Sequence, residues 1–120
     1  DDYWEQDAQF RFTEVSNGMP GMDKRLMLGK TRWELPVHGV SPEQWQAHRA
    51  QLERHETFRD FVYQVEPAPG VFRTLAASGN PVFGPDGEFL GYRGVGRDIT
   101  DQLAAEKRIE FLAYHDTLTG

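Results

Sequence analysis

The second half of the chain alternates between apolar and polar residues with the period of a β-strand. The alternation covers three stretches, residues 57–66, 71–83 and 88–99, and residues rich in proline or glycine separate them at 67–70 and 85–87. Alternation over such lengths, bounded by turn-forming residues, is typical of strands joined as hairpins. The pattern therefore predicts three consecutive antiparallel strands.

Apolar side chains on the first of these strands fall on both of its faces. Neighbouring side chains of a strand point to opposite faces, so every second residue lies on the same face. Phe61, Tyr63 and Val65 therefore share one face. The same count places Phe58 and Val62 on the other face.

The first half of the chain mixes strand and helix signals. Residues 9–15 alternate phenylalanine with polar residues, which predicts a further half-buried strand and a sheet of four or five strands. Residues 1–7 are acidic with two aromatic residues, and we expect a short helix that packs Trp4 against the domain. Residues 19–30 hold proline and glycine among apolar residues, which favours short helical turns over one long helix.

The clearest helix signal is the sequence Ser41-Pro42-Glu43-Gln44. Serine is a good N-cap, proline suits the first helical position, and glutamine at the third completes a capping box. We expect a helix from Pro42 to about Arg54. Spacing by three and four places Trp45, His48, Leu52 and His55 on one of its faces.

Composition bounds the class of protein. A length of 120 residues fits one domain, and an aromatic share of 12% supports a packed core over disorder. The net charge of -6 argues against nucleic acid or an anionic membrane as partner. The absence of cysteine excludes disulfides and thiolate metal sites. The chain has no apolar run long enough to span a membrane, so we expect no membrane contact by this segment.

Residues 91–100, Gly-Tyr-Arg-Gly-Val-Gly-Arg-Asp-Ile-Thr, end a strand and begin a helix. Their glycines do not follow the spacing of a dinucleotide-binding loop, and we expect them to allow close packing of an N-terminal helix over the sheet. Asp98 and Thr100 carry short side chains with oxygen atoms, and either can cap a helix that starts at about Asp101.

This decapeptide resembles the last strand of a PAS domain, with the Asp-Ile-Thr exit motif of bacterial signalling proteins. The resemblance implies an α+β PAS fold over residues 1–100: an antiparallel sheet of about five strands, flanked by short helices and followed by a C-terminal signalling helix. It also implies a signal relay in which Asp98 and Thr100 fix the junction between strand and helix while Ile99 stays in the core. A ligand that shifts the last strand would then move the exit helix.

The chain ends in Asp116-Thr117-Leu118-Thr119-Gly120, which resembles the opening of a GGDEF domain, the catalytic domain of diguanylate cyclases. The resemblance implies that residues 101–120 are a linker helix and the first residues of a GGDEF domain in a longer, cytoplasmic protein. Its catalytic signature would lie beyond this chain, so we expect no catalytic residue here. A seam at heptad spacing is formed by Gln102, Ala105, Ile109 and Leu112. Two heptads are too few to hold a dimer alone, so the expected homodimer needs further contacts from the domain or from the following domain.

Aromatic residues supply a candidate ligand pocket between the central helices and the sheet. A filled core is the alternative, and the sequence leaves both open. The candidate pocket residues are Trp33, Trp45, Phe61, Tyr63, Phe72 and Tyr92. Three arginines, Arg73, Arg93 and Arg97, either pair with an anionic group of a ligand or are exposed strand residues.

No cofactor is required by the sequence. His48 and His55 are candidate haem ligands, but surface histidines are the favoured interpretation, and we expect no metal site. Without cysteine, the adduct photocycle of light-sensing PAS relatives is excluded and non-covalent flavin binding stays open, although neither haem nor flavin is expected. The predicted function is a sensory domain that binds a small molecule, dimerises and signals to a diguanylate cyclase. The alternatives are a ligand-free dimerisation or docking module and a haem-binding gas or redox sensor.

Overall fold

The computed structural model describes residues 2–106 of the chain. Five strands form one antiparallel sheet in the order β2-β1-β5-β4-β3. The strands are β1 (Asp2–Gln6), β2 (Phe12–Val15), β3 (Phe58–Ala68), β4 (Val71–Phe83) and β5 (Phe89–Asp98). Two 3-10 helices (Lys24–Leu26 and Arg32–Glu34) and helix α1 (Pro42–Glu53) connect β2 to β3. This confirms the predicted α+β class, the five-stranded sheet and its hairpins.

The N-terminal segment is a strand, so the predicted short helix over residues 1–7 is wrong. Strand β1 lies between β2 and β5, and Trp4 is paired with Gly94. The segment follows the period of two, because Trp4 and Gln6 are buried while Tyr3 points to the outer face and is exposed. Trp4 does pack against the domain, as predicted, with 4% of its surface exposed.

The glycines of β5 make room for neighbouring strands and not for a helix, which corrects the expected partner. A Cβ atom at Gly94 would overlap the Ser78 carbonyl oxygen on β4, and one at Gly91 would overlap the Gln6 carbonyl oxygen on β1. At Gly96 an added Cβ would lie 3.9 Å from the nearest atom, so that position has ordinary room.

Helix α1 begins with the predicted capping box. Ser41 Oγ accepts a hydrogen bond of 3.1 Å from the backbone N–H of Gln44, and Gln44 Oε1 accepts one of 2.8 Å from the N–H of Ser41. His48 and Leu52 are buried on the inner face. His55 does not share that face, because it follows the end of the helix with a positive φ of 57°.

Strand β3 contains a bulge that the period of two does not reveal. The pairing register with β4 shifts between Phe58 and Phe61, where Asp60 has a positive φ of 51°. Phe58 is therefore buried on the same side as Tyr63, and its predicted placement on the opposite face is wrong. Val62 lies on the face opposite to Tyr63, as predicted, and is 45% exposed.

The core fills the space between the inner face of the sheet and the segment from β2 to β3. Tyr92 in β5 connects the two layers, because its hydroxyl donates a 2.6 Å hydrogen bond to the carbonyl of Glu56 after α1. No helix within residues 2–106 combines the length and apolar character needed to cross a bilayer.

A helix follows β5 and is described over residues 100–106. The predicted start at about Asp101 is close to this. Ile109, Leu112 and the C-terminal pentapeptide lie outside the described residues, and with them half of the predicted heptad seam.

Candidate functional site

An internal cavity of about 80 Å³ lies between the sheet and the segment that connects β2 to α1. Its apolar wall comes from three strands and that segment: Trp4, Phe12, Val15, Met27 and Leu75. The polar part of its wall runs from the buried residues Arg32 and Tyr63 to the exposed residues Asn17, Arg97 and Asp98. The cavity therefore extends from the core to the end of β5.

A local capping motif holds Arg32 at this cavity. Arg32 opens the second 3-10 helix, and Thr31 precedes it as the N-cap. Glu34 Oε1 accepts hydrogen bonds of 2.9 Å from both the backbone N–H and the hydroxyl of Thr31. This fixes the turn so that Arg32 points inward, and only 2% of its surface is exposed.

Aromatic rings surround the Arg32 guanidinium. Its Cζ atom lies 4.8 Å from the ring centroid of Trp4, 5.3 Å from that of Phe12, and 5.9 Å from those of Phe58 and Tyr63. Rings at such distances attract a cation through their faces. They do not replace hydrogen-bond acceptors, and Nε and Nη1 of Arg32 have no hydrogen-bond partner.

The charge of Arg32 is not balanced by a neighbouring carboxylate. Within residues 2–106, no ion pair involves Arg32. Burial lowers the pKa of Arg32, and the neighbouring Tyr63 hydroxyl opposes the shift. Because the ordinary pKa of arginine is above about 12, the side chain keeps its proton at neutral pH. The core thus contains an unpaired cation.

Burial, and then the charge of Arg32, lower the pKa of His48 to about 3. His48 is therefore neutral at physiological pH. Its ring stacks on Phe61 with centroids 4.0 Å apart, and its Nε2 atom has no hydrogen-bond partner.

Other buried polar atoms share this lack of partners. Trp4 Nε1 and both side-chain atoms of Gln6, its Nε2 and Oε1, are buried without a hydrogen bond. Unpaired buried polar atoms are rare in folded proteins and often mark a bound water, ion or ligand.

The structure groups four of the six predicted pocket aromatics. Ring centroids of Trp33 and Trp45 are 6.5 Å apart, those of Trp45 and Phe61 5.2 Å, and those of Phe61 and Tyr63 6.0 Å. Of these four, Tyr63 lines the internal cavity. Trp45 and Phe61 line separate grooves beside α1.

The other two predicted pocket aromatics lie elsewhere. Tyr92 is buried against Phe58 and Phe89 and does not line the internal cavity. Phe72 is 45% exposed and packs against His38, with centroids 5.8 Å apart.

The three predicted arginines differ in their surroundings. Arg97 lines the cavity near its outer end, with Nη2 4.0 Å from Oδ1 of Asp60. Arg73 pairs with Asp98, and Arg93 is an exposed residue of β5.

The surroundings of the two candidate haem ligands do not fit haem. His55 stacks on Phe89 with centroids 3.7 Å apart. The groove beside His48 combines apolar residues with polar and charged ones, so charged side chains would lie against a macrocycle placed there. Its polar and charged residues are Gln44, Gln51, Arg59 and Asp60, and its apolar residues are Ala47, Phe58, Phe61 and Val62. No group of three or more potential metal-ligating side chains occurs in the described part of the chain.

Sequence reasoning missed Arg32. Charged residues are seldom fully buried, so an arginine between Thr31 and Trp33 was not expected in the core. A weak signal was present, because residues three apart eclipse in a 3-10 helix and Leu35 is apolar. Leu35 is buried, and Arg32 lies one turn before it on the same side.

A second site is the junction between β5 and the helix that follows. Arg73 Nε donates to Asp98 Oδ2 at 2.8 Å, and the N–H of Thr100 donates to Asp98 Oδ1 at 2.9 Å. The Thr100 hydroxyl accepts from the N–H of Thr74 on β4 at 2.7 Å, and the N–H of Ile99 donates to the Thr74 carbonyl at 2.9 Å.

These contacts attach the start of the helix to β4. Burial opposes ionisation of Asp98, but its hydrogen bonds with Arg73 and Thr100 outweigh this and hold its pKa below the ordinary value. Ile99 is half-buried, and its carbonyl accepts the hydrogen bond of the first helical turn from Leu103. The motif thus contributes two side chains and three backbone groups to one junction.

Comparison with known proteins gives a family match over most of the chain. Residues 3–104 match the sequence model of the family described as PAS fold. The protein described as probable histidine kinase 1 of Oryza sativa subsp. indica is 30% identical over 105 residues, which cover 87% of this chain and 11% of that protein. The chain spans about a tenth of the length of the curated relatives it matches, 8% and 11%.

Two solved structures show the same fold. An RNA-binding Light-Oxygen-Voltage receptor superposes with a TM-score of 0.74 at 15% identity, covering 94% of this chain and 33% of the receptor chain. The N-terminal domain of a diguanylate cyclase with a PAS/PAC sensor from Marinobacter aquaeolei gives a TM-score of 0.68 at 17% identity, covering 84% of this chain and 96% of that domain. At these identities the likeness establishes the fold alone.

Proposed function

Because this chain belongs to the PAS fold family, we propose that it is a sensory module whose ligand binds in the cavity at Arg32. Binding is relayed through Asp98, Ile99 and Thr100 to the helix that follows. The module occupies residues 1–100, and residues 101–120 connect it to an output domain. The module itself carries no catalytic role.

One observation carries this proposal: the cavity and the exit junction share Asp98. Gly96, Arg97 and Asp98 line the same cavity as Arg32. Asp98 also accepts hydrogen bonds from Arg73 and from Thr100, the first residue of the exit helix. A ligand that changes the position of the end of β5 therefore changes the support of that helix.

A diguanylate cyclase is the proposed output domain. The C-terminal sequence Asp-x-Leu-Thr-Gly supports it, and so does the PAS fold at the N-terminus of the Marinobacter cyclase. A histidine kinase output is the alternative, supported by the rice relative. A cyclase would act on GTP and therefore place the module in the cytoplasm.

Flavin is the alternative ligand, because relatives of the same fold include Light-Oxygen-Voltage photoreceptors. Pockets for ligands of that size usually have several hundred Å³, and the cavity here has about 80 Å³. We therefore propose a smaller ligand, and an absorbance spectrum of the purified protein tests this choice.

Homodimerisation through the outer face of the sheet is the second proposed property. Tyr3, Val62 and Val95 are exposed on that face, each between 37% and 45%. Apolar residues grouped on one face often mark an interface. Sedimentation should show a dimer that Val95→Glu weakens and that Val71→Glu, at a distant hairpin, leaves intact. A ligand-free dimerisation module would show the same dimer without any bound mass.

The sensory proposal is tested by native mass spectrometry and hydrogen exchange on one sample. A mass excess that is lost on denaturation identifies a bound ligand. The amide of Thr100 should then exchange at different rates in the purified protein and in protein refolded without ligand. Asp98→Ala should bind ligand and lose this difference. Equal exchange rates of Thr100 in ligand-bound and ligand-free wild-type protein would refute the relay.

A further inference from the structure

The Arg32 guanidinium is a buried cation with unused hydrogen-bonding capacity. An unpaired charge in a core is costly, and proteins normally pair it or replace it by an apolar residue. Here a capping box holds the turn that buries Arg32, while Nε and Nη1 remain without partners. A bound anion at the guanidinium would balance this charge.

The surroundings of Arg32 favour a carboxylate over other anions. The aromatic faces of Trp4 and Phe12 contact the guanidinium without taking its N–H groups. Guanidinium donors match the two oxygens of a carboxylate in spacing and plane. Arg32 is the one buried cation at this cavity, and the acidic residues Asp2 and Asp98 line its outer part, which disfavours an anion of two or more charges.

The cavity wall and volume restrict the rest of the ligand. Val15, Met27 and Leu75 provide an apolar surface that suits an aliphatic chain. With about 80 Å³ of space, the cavity is small beside the several hundred Å³ of pockets for drug-sized ligands, so it suits a ligand of few non-hydrogen atoms.

We infer that the cavity is a binding site for a short-chain aliphatic monocarboxylate, whose carboxylate pairs with Arg32 and whose chain lies against Val15, Met27 and Leu75. This inference rests on the proposed sensory function and specifies the class of its ligand.

Sodium acetate, propionate and butyrate serve as probes for the 120-residue chain. NMR titrations at constant ionic strength follow the indole N–H of Trp4, which lines the cavity and has no hydrogen-bond partner. We expect saturable shifts with at least one of the three acids. Propionamide, which has the same shape and no charge, should bind at least tenfold more weakly than propionate.

Arg32→Met should reduce the affinity for the bound acid at least tenfold. Arg25→Met is the matched control, because it removes the same charge from an exposed side chain paired with Asp23 and should bind as the wild type does. Saturable binding that depends on Arg32 and not on Arg25 supports the inference. Three results overturn it: no saturable binding of any acid, equal affinity in Arg32→Met, or equal binding of propionamide or phosphate.

If Arg32→Met does not fold, the comparison of propionate with propionamide in the wild type decides the question, and Arg32→Lys provides a charged variant that should bind several times more weakly. The exchange rate of the Thr100 amide separates the two proposals. If a carboxylate binds without changing the exchange rate of the Thr100 amide, the carboxylate site is supported and the relay is refuted. If a ligand of another mass binds, alters the exchange rate of the Thr100 amide and still binds to Arg32→Met, the relay is supported and the carboxylate site is refuted.

Discussion

Arg73 on β4 donates a hydrogen bond of 2.8 Å from Nε to Oδ2 of Asp98, the last residue of β5. The second oxygen of Asp98 accepts the N–H of Thr100. One carboxylate therefore joins two strands to the first residue of the exit helix. Because exposed ion pairs contribute little to global stability, the contact is better suited to fixing geometry than to holding the fold together.

Replacing Asp98 by alanine should loosen the exit helix without unfolding the domain. The substitution removes the acceptor for both Arg73 and Thr100, so the amides of Thr100 and Leu103 should exchange faster by hydrogen–deuterium NMR. The urea midpoint of unfolding should change little, because the side chain lies at the surface.

Arg54→Gln is the control for this experiment. It breaks a comparable exposed pair, Arg54 with Glu56 at 3.2 Å, that is remote from the junction. Its exchange pattern at residues 100–106 should match that of the wild type. Unchanged exchange at Thr100 in Asp98→Ala would mean that Thr74 alone holds the helix start.

Acidification should destabilise the fold through His48. Its pKa is about 3 in the folded state against an ordinary 6.5, so the unfolded state binds the proton first. The stability is unaffected by this group above pH 6.5, falls as the pH drops below 6.5, and stops falling below about pH 3. At pH 5 the loss should be about 2 kcal/mol.

His48→Phe should flatten the dependence of stability on pH between 6.5 and 5, because phenylalanine keeps an aromatic ring against Phe61 and cannot take a proton. Urea unfolding at a series of pH values measures the slope. Equal slopes in His48→Phe and the wild type would show that His48 is not the group responsible.

Local signals in the sequence were sufficient for some elements and not for others. The cap at Ser41 and the turn at residues 85–87 depend on neighbouring residues alone, and both were predicted. The strand at Trp4 depends on pairing with β5, far along the chain, and short acidic segments carry no such information. Phe58 was placed on the wrong face because a bulge at Asp60 depends on the register of β3 against β4.

The residues of the candidate site divide in the same way, into those that neighbouring residues reveal and those that depend on the folded chain. The contacts of the exit junction come from consecutive residues, Asp98 to Thr100, which a single sequence displays together. Arg32 faces aromatic rings from β1, β2 and β3, which meet only in the folded chain. An arginine in a single sequence does not reveal that its surroundings are apolar.

Gly79→Ala should destabilise the fold by about 1–3 kcal/mol, the usual range for an overpacked core. A Cβ atom at this position would lie 2.6 Å from Cη2 of Trp4 and 2.9 Å from Cε1 of Phe58, two stacked rings. Denaturant unfolding measures the change. Trp4→Phe removes the atom in closest contact, so the cost of Gly79→Ala should be smaller in that background.

Gly96→Ala is the matched control on the neighbouring strand, because its added Cβ meets the nearest atom at 3.9 Å. It should be neutral or slightly stabilising, by up to about 1 kcal/mol, since alanine restricts the unfolded chain. If both substitutions cost the same, contact with Trp4 and Phe58 is not the cause.

Arg32→Met should stabilise the protein in a buffer without carboxylates, by about 1 kcal/mol or more. Methionine fills a similar volume, removes a buried charge that lacks a partner, and loses only the contacts of the cation with the rings.

Urea unfolding with and without propionate measures the stability of each variant and the effect of the ligand on it. Propionate should stabilise the wild type, because a ligand that binds the folded state alone shifts the equilibrium towards it, and should leave Arg32→Met unchanged. A ligand-binding residue is expected to lower the free energy of unfolding of the ligand-free protein and to raise that of the ligand-bound protein. Function is often maintained in this way at the expense of stability. A less stable Arg32→Met variant in the same buffer would instead mean that the aromatic rings alone stabilise the cation, and that Arg32 is structural.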